Sequence, residues 1–137
     1  MTNREIISYV MKAHGDQQYS DMPYIVHLAM VAGFFYDRER QAIALLHDIL
    51  EDTDVTKDEL QKLFGKKIAD IVSILTHEEG ETYFEYIDRV KQNKLAKEVK
   101  IADLKANLFT SMNFYPNENK SREKRYKKAL NILEEGL

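Results

Sequence analysis

The chain has 137 residues, enough for one domain with a buried core, and its 44% hydrophobic and 31% charged residues are ordinary for a globular protein. A formal net charge of −3 lacks the basic excess of a protein that binds long nucleic acid, but leaves room for a local cationic site that takes a small anion. The absence of cysteine excludes disulfides, thiolate nucleophiles and Cys-ligated metals, and fits a cytoplasmic protein.

With only 2 prolines and 5 glycines, most of the chain is free to be helical. The apolar stretch 6–11 is too short and interrupted for a signal peptide, and no run approaches a membrane span. Ile6, Ile7, Val10 and Met11 mark a first helix up to about residue 14. Residues 15–22 are polar and read as a loop. Pro23 suits the first turn of a second helix that runs to about residue 35 through Val26, Ala29, Met30 and Val31. After a charged connection at 37–40, a third helix covers 41–50.

Thr56 and Glu59 have the spacing of a capping box, so a helix is expected over 57–63, stopped near Gly65. Residues 66–75 form another, with Ile68, Ile71, Val72 and Leu75 on one side. An acidic loop at 76–81 precedes a helix at 83–91 and a long one at 95–111. A polar loop around Pro116 leads to an amphipathic helix over 121–135. The expected fold is all-α, with residues 1–137 forming one compact helical bundle and no confident strand.

The chemistry centres on residues 42–52. Read as one helix at 100° per residue, this segment puts His47 and Glu51 on one face and Asp48 and Asp52 in a parallel row. Leu45, Leu46, Ile49 and Leu50 cover the rest. Charge beside a core is costly unless it is paired or bound to a metal, and a divalent cation solves that problem. An adjacent His-Asp pair offers one nitrogen and one oxygen ligand, while Glu51 and Asp52 are placed to orient or deprotonate a metal-bound water.

Two ligands rarely make a site. His27 lies among Ile25, Val26 and Leu28 on the second helix. On the long helix Lys100, Asp103 and Asn107 share a face, beside an apolar stripe of Ile101, Leu104 and Leu108. An ammonium, a carboxylate and an amide in line can bind a metal and a phosphate together. Two imidazoles with two carboxylates suit manganese, iron or zinc better than calcium, and manganese is preferred. A His-Asp pair alone is more often structural. His14 and His77 read as loop or helix-end residues, and the run Lys120, Arg122, Lys124, Arg125, Lys127 and Lys128 as a solvated face that can also raise the local potential for an anionic ligand.

The order His27, His47-Asp48, Asp103 resembles the signature of the HD-domain phosphohydrolases. Within that family, Ala13-His14, Gln17 and Pro23-Tyr24-Ile25-Val26-His27 resemble the opening motif of the RelA/SpoT-type hydrolase domain. Leu45 to Thr53 is similar to its His-Asp-x-x-Glu-Asp-Thr segment, and Lys100-Ile101-Ala102-Asp103 with Asn107 to its last motif. The resemblance covers roughly residues 10 to 110 and implies an all-helical, manganese-dependent enzyme that attacks the 3′-pyrophosphate of guanosine tetra- or pentaphosphate. It implies His27, His47, Asp48 and Asp103 as ligands, Glu51 and Asp52 as the acids handling the water, and Asn107 near ribose or phosphate. Gln17, Tyr19 and Lys100 are expected to line the nucleotide site. The length is that of small stand-alone relatives without a synthetase domain. Departures from the pattern fall at Tyr19, in place of a usual Arg, at Asp21-Met22 before Pro23, at Leu28 and at Leu104. A phosphatase acting on another nucleotide monoester or cofactor phosphate, and a nucleotide sensor without turnover, are the alternative readings.

Overall fold

The computed structural model describes residues 1–135. Helix α1 (Asn3–His14) starts at a full capping box, Thr2 with Glu5, and buries Ile6, Val10 and His14. The segment expected to be a plain loop contains a minimal antiparallel hairpin, β1 (Gln18–Tyr19) and β2 (Met22–Pro23). Ser20 takes a positive φ of 56° at its turn. Two residues per strand are too few to show the alternation by which strands are read from sequence.

Pro23 sits at the N-cap of α2 (Tyr24–Ala32), one position before the first turn expected for it. The helix ends at Ala32, short of residue 35. The expected helix over 41–50 is instead two helices, α3 (Arg38–Leu46) and the one-turn α4 (Ile49–Asp52), broken at His47 and Asp48. Then come α5 (Lys57–Phe64), α6 (Lys66–Ile74), α7 (Tyr83–Lys91), α8 (Lys94–Phe114) and α9 (Lys120–Glu134). Gly65 separates α5 from α6 at φ 91°, a conformation that favours glycine.

Only half of the expected capping box at Thr56 forms. Its hydroxyl accepts from the Glu59 amide, but the Glu59 carboxylate takes the Tyr9 hydroxyl from α1 instead. A second full box, Thr82 with Glu85, starts α7.

Helix α8 is the central element and packs against α2, α3, α6, α7 and α9. Its buried side includes Val99, Ala102, Leu104, Ala106 and Leu108, and the alanines let neighbouring helices approach closely. One apolar cluster joins this side to Val31, Ile43, Ile87, Val90 and Leu133. A second gathers Ile6, Val10, Leu28, Leu45, Leu46, Ile49, Leu60 and Val72. Helices α2 and α3 contribute to both. Fully burying each such side chain is worth about 1.5–3 kcal/mol, so the backbone bearing His27, His47 and Asp103 is anchored by apolar neighbours on each side. Among the described residues, no helix is long and apolar enough to cross a membrane.

Candidate metal centre

The break after α3 sets the geometry. In a continuous helix, His47 and Asp48 would point about 100° apart. Instead Asp48 has φ −102° and ψ 0°, in the sparsely populated bridge region where many active-site residues sit. His47 Nε2 and Asp48 Oδ2 consequently lie 3.1 Å apart. The Asp48 carboxylate is held from outside the segment by the Tyr24 hydroxyl, which donates to Oδ2 at 2.5 Å.

Asp103 comes to the same point from α8. Its Oδ1 is 2.8 Å from His27 Nε2 and 3.3 Å from His47 Nε2. One candidate ligand atom from each of His27, His47 and Asp103 lies within 4.8 Å of the others, and all three residues are buried. Asp48 Oδ2 is 3.9 Å from His27 Nε2, and its side chain, 16% exposed, is the opening of the group toward solvent.

The donor set fits a divalent cation. His47 Nδ1 donates to the Ala44 carbonyl at 2.5 Å, so in the neutral ring Nε2 carries a bare lone pair. That nitrogen is buried without a hydrogen-bond partner, and it faces two carboxylates that cannot donate to it. Either a proton or a cation must occupy the space between them. Two imidazole nitrogens with two carboxylate oxygens suit a borderline divalent ion, and the carbonyl behind His47 fixes its tautomer as metal sites require.

The charges are strongly coupled. Burial alone would lower the His47 pKa, but Asp48 and Asp103 together raise it well above its ordinary value. Burial, the largest single influence, pushes Asp48 up, yet the charge and hydrogen bond of His47, together with the charge of His27, outweigh it and hold the carboxyl at about 2. Asp103 is likewise held well below the carboxylate range, against burial, chiefly by Lys100. The Lys100 ammonium lies 2.8 Å from Asp103 Oδ2 and 5.2 Å from the Tyr86 ring centre. With only 13% of its side chain exposed, Lys100 is not part of a solvated stripe, and its direct partner is Asp103.

Glu51 and Asp52, on α4, flank the centre without joining it. Glu51 accepts from the His77 amide at 3.0 Å, and burial followed by the charges of Asp48 and Asp52 raises its pKa. Asp52 accepts from Gln17 Nε2 at 3.1 Å. The break before α4 means that His47 with Glu51, and Asp48 with Asp52, do not form the continuous rows expected of one helix.

Tyr19 packs its ring 4.5 Å from that of His27 and donates its hydroxyl to Asn107 Oδ1 at 2.8 Å. Tyr19 and Asn107 line a cleft of about 90 Å³ together with Thr110, Ser111, Arg122 and Tyr126. Arg122 and Tyr24 escaped the sequence reading as site residues. Tyr24 carried a signal, since it precedes His27 by three positions on one helix face. Arg122 carried only the signal of its basic run, because the return of α9 along α8 is what brings it to the cleft that Asn107 lines.

This arrangement, a helical fold in which two buried histidines, a buried aspartate and a half-buried one converge from three segments, defines a class. A family model described as HD domain matches residues 7–112, and the chain belongs to that family. Among curated relatives, the guanosine-3′,5′-bis(diphosphate) 3′-pyrophosphohydrolase MESH1 of Danio rerio is 36% identical over 85 residues, 56% of this chain and 47% of the relative. A guanosine-3′,5′-bis(diphosphate) 3′-pyrophosphohydrolase of Vibrio cholerae is 43% identical over 72 residues, 47% of this chain and 10% of the relative. The GTP pyrophosphokinase rsh of Brucella ovis is 42% identical over 73 residues, 50% and 10% respectively. The matched part of this chain thus spans about a tenth of the longer relatives and about half of MESH1.

Among solved structures, one described as a metazoan ortholog of SpoT that hydrolyzes ppGpp superposes with a TM-score of 0.80 at 24% identity, over 98% of this chain and 85% of that one. This likeness establishes the fold. The protein lmo0812 of Listeria monocytogenes superposes with a TM-score of 0.68 at 28% identity, over 84% and 83%.

Proposed function

We propose that this chain is a metal-dependent nucleotide phosphohydrolase whose favoured substrate is guanosine 3′,5′-bis(diphosphate), cleaved at the 3′-pyrophosphate. The observation that carries the chemistry is the buried Nε2 of His47, which has no hydrogen-bond donor to meet it and faces the carboxylates of Asp48 and Asp103 beside His27. The substrate class is supported by the activity for which the Danio rerio and Vibrio cholerae relatives are named. HD-family membership and the His/Asp donors support metal dependence. Manganese is our reading of which ion serves.

His27, His47, Asp48 and Asp103 would hold the ion. A divalent cation there supplies positive charge for the phosphoryl oxygens and makes a water more acidic. Glu51, whose pKa is raised by burial, and Asp52 would orient the attacking water and take its proton. The pair Lys100–Asp103 keeps one oxygen of Asp103 engaged and leaves the other toward the imidazoles. Tyr19, Asn107 and Arg122 in the adjoining cleft would bind the nucleotide, with the Arg122 guanidinium recognising phosphate oxygens. Gln17, at the edge of this site, is bonded to Asp52 rather than open to a ligand.

A panel of nucleotides assayed with manganese tests the proposal. Release of pyrophosphate from the tetraphosphate, lost in His47→Ala and Asp48→Ala, is the expected result. Release of phosphate from a monoester would move the substrate, and activity surviving either substitution would remove the site.

A further inference from the structure

Asp52 is exposed at the end of the one-turn helix α4, where nothing on its own helix holds its carboxylate. Its orienting contact comes from across the fold. Gln17 Nε2 donates to Asp52 Oδ2 at 3.1 Å, while Gln17 Oε1 is 2.8 Å from His14 Nδ1. An ionised carboxylate only accepts, so the amide must turn its nitrogen to Asp52 and its oxygen to His14. The oxygen also only accepts, which places a proton on His14 Nδ1. One ring tautomer is therefore dictated through two hydrogen bonds.

His14 is not an ordinary helix-end residue. It is 8% exposed, and its Nε2 is buried without a partner. Its ring stacks on Tyr24, with centres 4.9 Å apart and an interplanar angle of 24°. The Tyr24 hydroxyl in turn donates to Asp48. The backbone closes the arrangement. Gly15 leaves α1 at φ 57°, the Gln17 amide donates to the His14 carbonyl at 3.1 Å, and the Tyr24 amide donates to the Gln17 carbonyl at 3.2 Å.

We propose that His14 and Gln17 are positioning residues: His14 holds Gln17 by a hydrogen bond and Tyr24 by stacking, and through them sets the carboxylates of Asp52 and Asp48. Gln17 is thus a partner of the acid and not a substrate contact. The inference deepens the proposed hydrolysis and rests on Asp52 handling the water there.

Two measurements test it. In the ¹⁵N-labelled protein, the His14 Nδ1 proton should be visible and slow to exchange, and Gln17→Ala should abolish it. The Gln17 side-chain amide signals should move in Asp52→Ala. Failure of both would show that the link does not exist, whatever the substrate. With manganese and guanosine 3′,5′-bis(diphosphate), Gln17→Ala should lower kcat about tenfold, the scale of lost outer hydrogen bonds at metal sites, with KM nearly unchanged. His14→Ala should lower kcat similarly, and His14→Gln, which keeps an N–H toward Gln17, should recover part of it. The double variant His14→Ala with Gln17→Ala should retain more activity than the product of the single losses predicts, because both break one chain. A raised KM with kcat intact would make Gln17 a substrate contact, and additive losses would reduce His14 to packing. Full activity in Asp52→Asn would instead sink the role given to the acid, a failure distinct from that of the hydrogen-bonded link.

Discussion

The Nδ1 of His47 donates to the carbonyl of Ala44 three residues earlier, and this bond determines what the other ring nitrogen can do. It ties the imidazole to the last turn of α3 and turns Nε2 toward Asp48 and Asp103, where a proton or a cation must lie between them. The helix break at Asp48 accompanies the same geometry, with His47 Nε2 and Asp48 Oδ2 3.1 Å apart.

Cation binding should therefore be visible as stability. Adding Mn²⁺ to chelator-treated protein should raise Tm, because a ligand held only by the folded state stabilises it, by about 2.7 kcal/mol at a hundredfold excess over Kd. In His47→Ala the rise should vanish while the fold persists. Thermal scans with and without EDTA check both, and an equal rise in the variant would place the ion elsewhere.

The buried pair Lys100–Asp103 should respond unequally to the loss of either member. Removing one partner of a buried pair costs about 3–5 kcal/mol. In Lys100→Met the Asp103 carboxylate still faces His27 and His47, which can share a proton with it. In Asp103→Leu the ammonium keeps only the Tyr86 ring among the contacts described above. Urea unfolding of the metal-free protein should show Asp103→Leu as the costlier change. The opposite order would mean that the imidazoles give the aspartate no compensation.

Acid stability should depend on Glu81. The Arg89 guanidinium bonded to its carboxylate lowers its pKa from an ordinary 4.5 to about 2. A depressed carboxyl stabilises the fold fully above pH 4.5, and the contribution is lost as pH falls toward 2. Glu81→Gln should thus flatten the decline of Tm across that window and lower Tm at neutral pH. Arg89 also donates to the carbonyls of Ile74 and Thr76, which steadies the segment leading to His77, whose amide donates to Glu51. Melting curves at stepped pH test this, and parallel declines in both proteins would exclude Glu81 as a source of acid sensitivity.

The cleft beside Asn107 should govern affinity more than turnover. Arg122→Ala is expected to raise KM for the tetraphosphate about ten- to a hundredfold, the worth of about 1.5–3 kcal/mol in hydrogen bonds to a charged group, with kcat little changed. Arg122 is exposed, so the fold should be unaffected. Steady-state kinetics beside circular dichroism provides the check. An unchanged KM would take α9 out of the substrate site.

How much of this was legible beforehand follows the range of the forces. Helix positions were readable because the apolar spacing of segments such as Ile68, Ile71 and Val72 is a local property of the chain. The stop at Gly65 was readable too, since its backbone conformation favours glycine. The residues of the centre could be named in order, as a His, a His-Asp pair and an Asp set among apolar neighbours stand out at any distance. Their convergence is a different matter. The break at His47–Asp48 has no local breaker such as proline or glycine. It accompanies contacts from Tyr24 and Asp103, which lie far along the chain. The loss of half the Thr56–Glu59 box to Tyr9, the turning of Lys100 onto Asp103, and the meeting of Arg122 with Asn107 have the same origin. The sequence alone determined which residues are apolar, which can cap and which can ligate. Tertiary packing decided which of them face one another, because a hydrogen bond or ion pair depends on distances that only the assembled helices define.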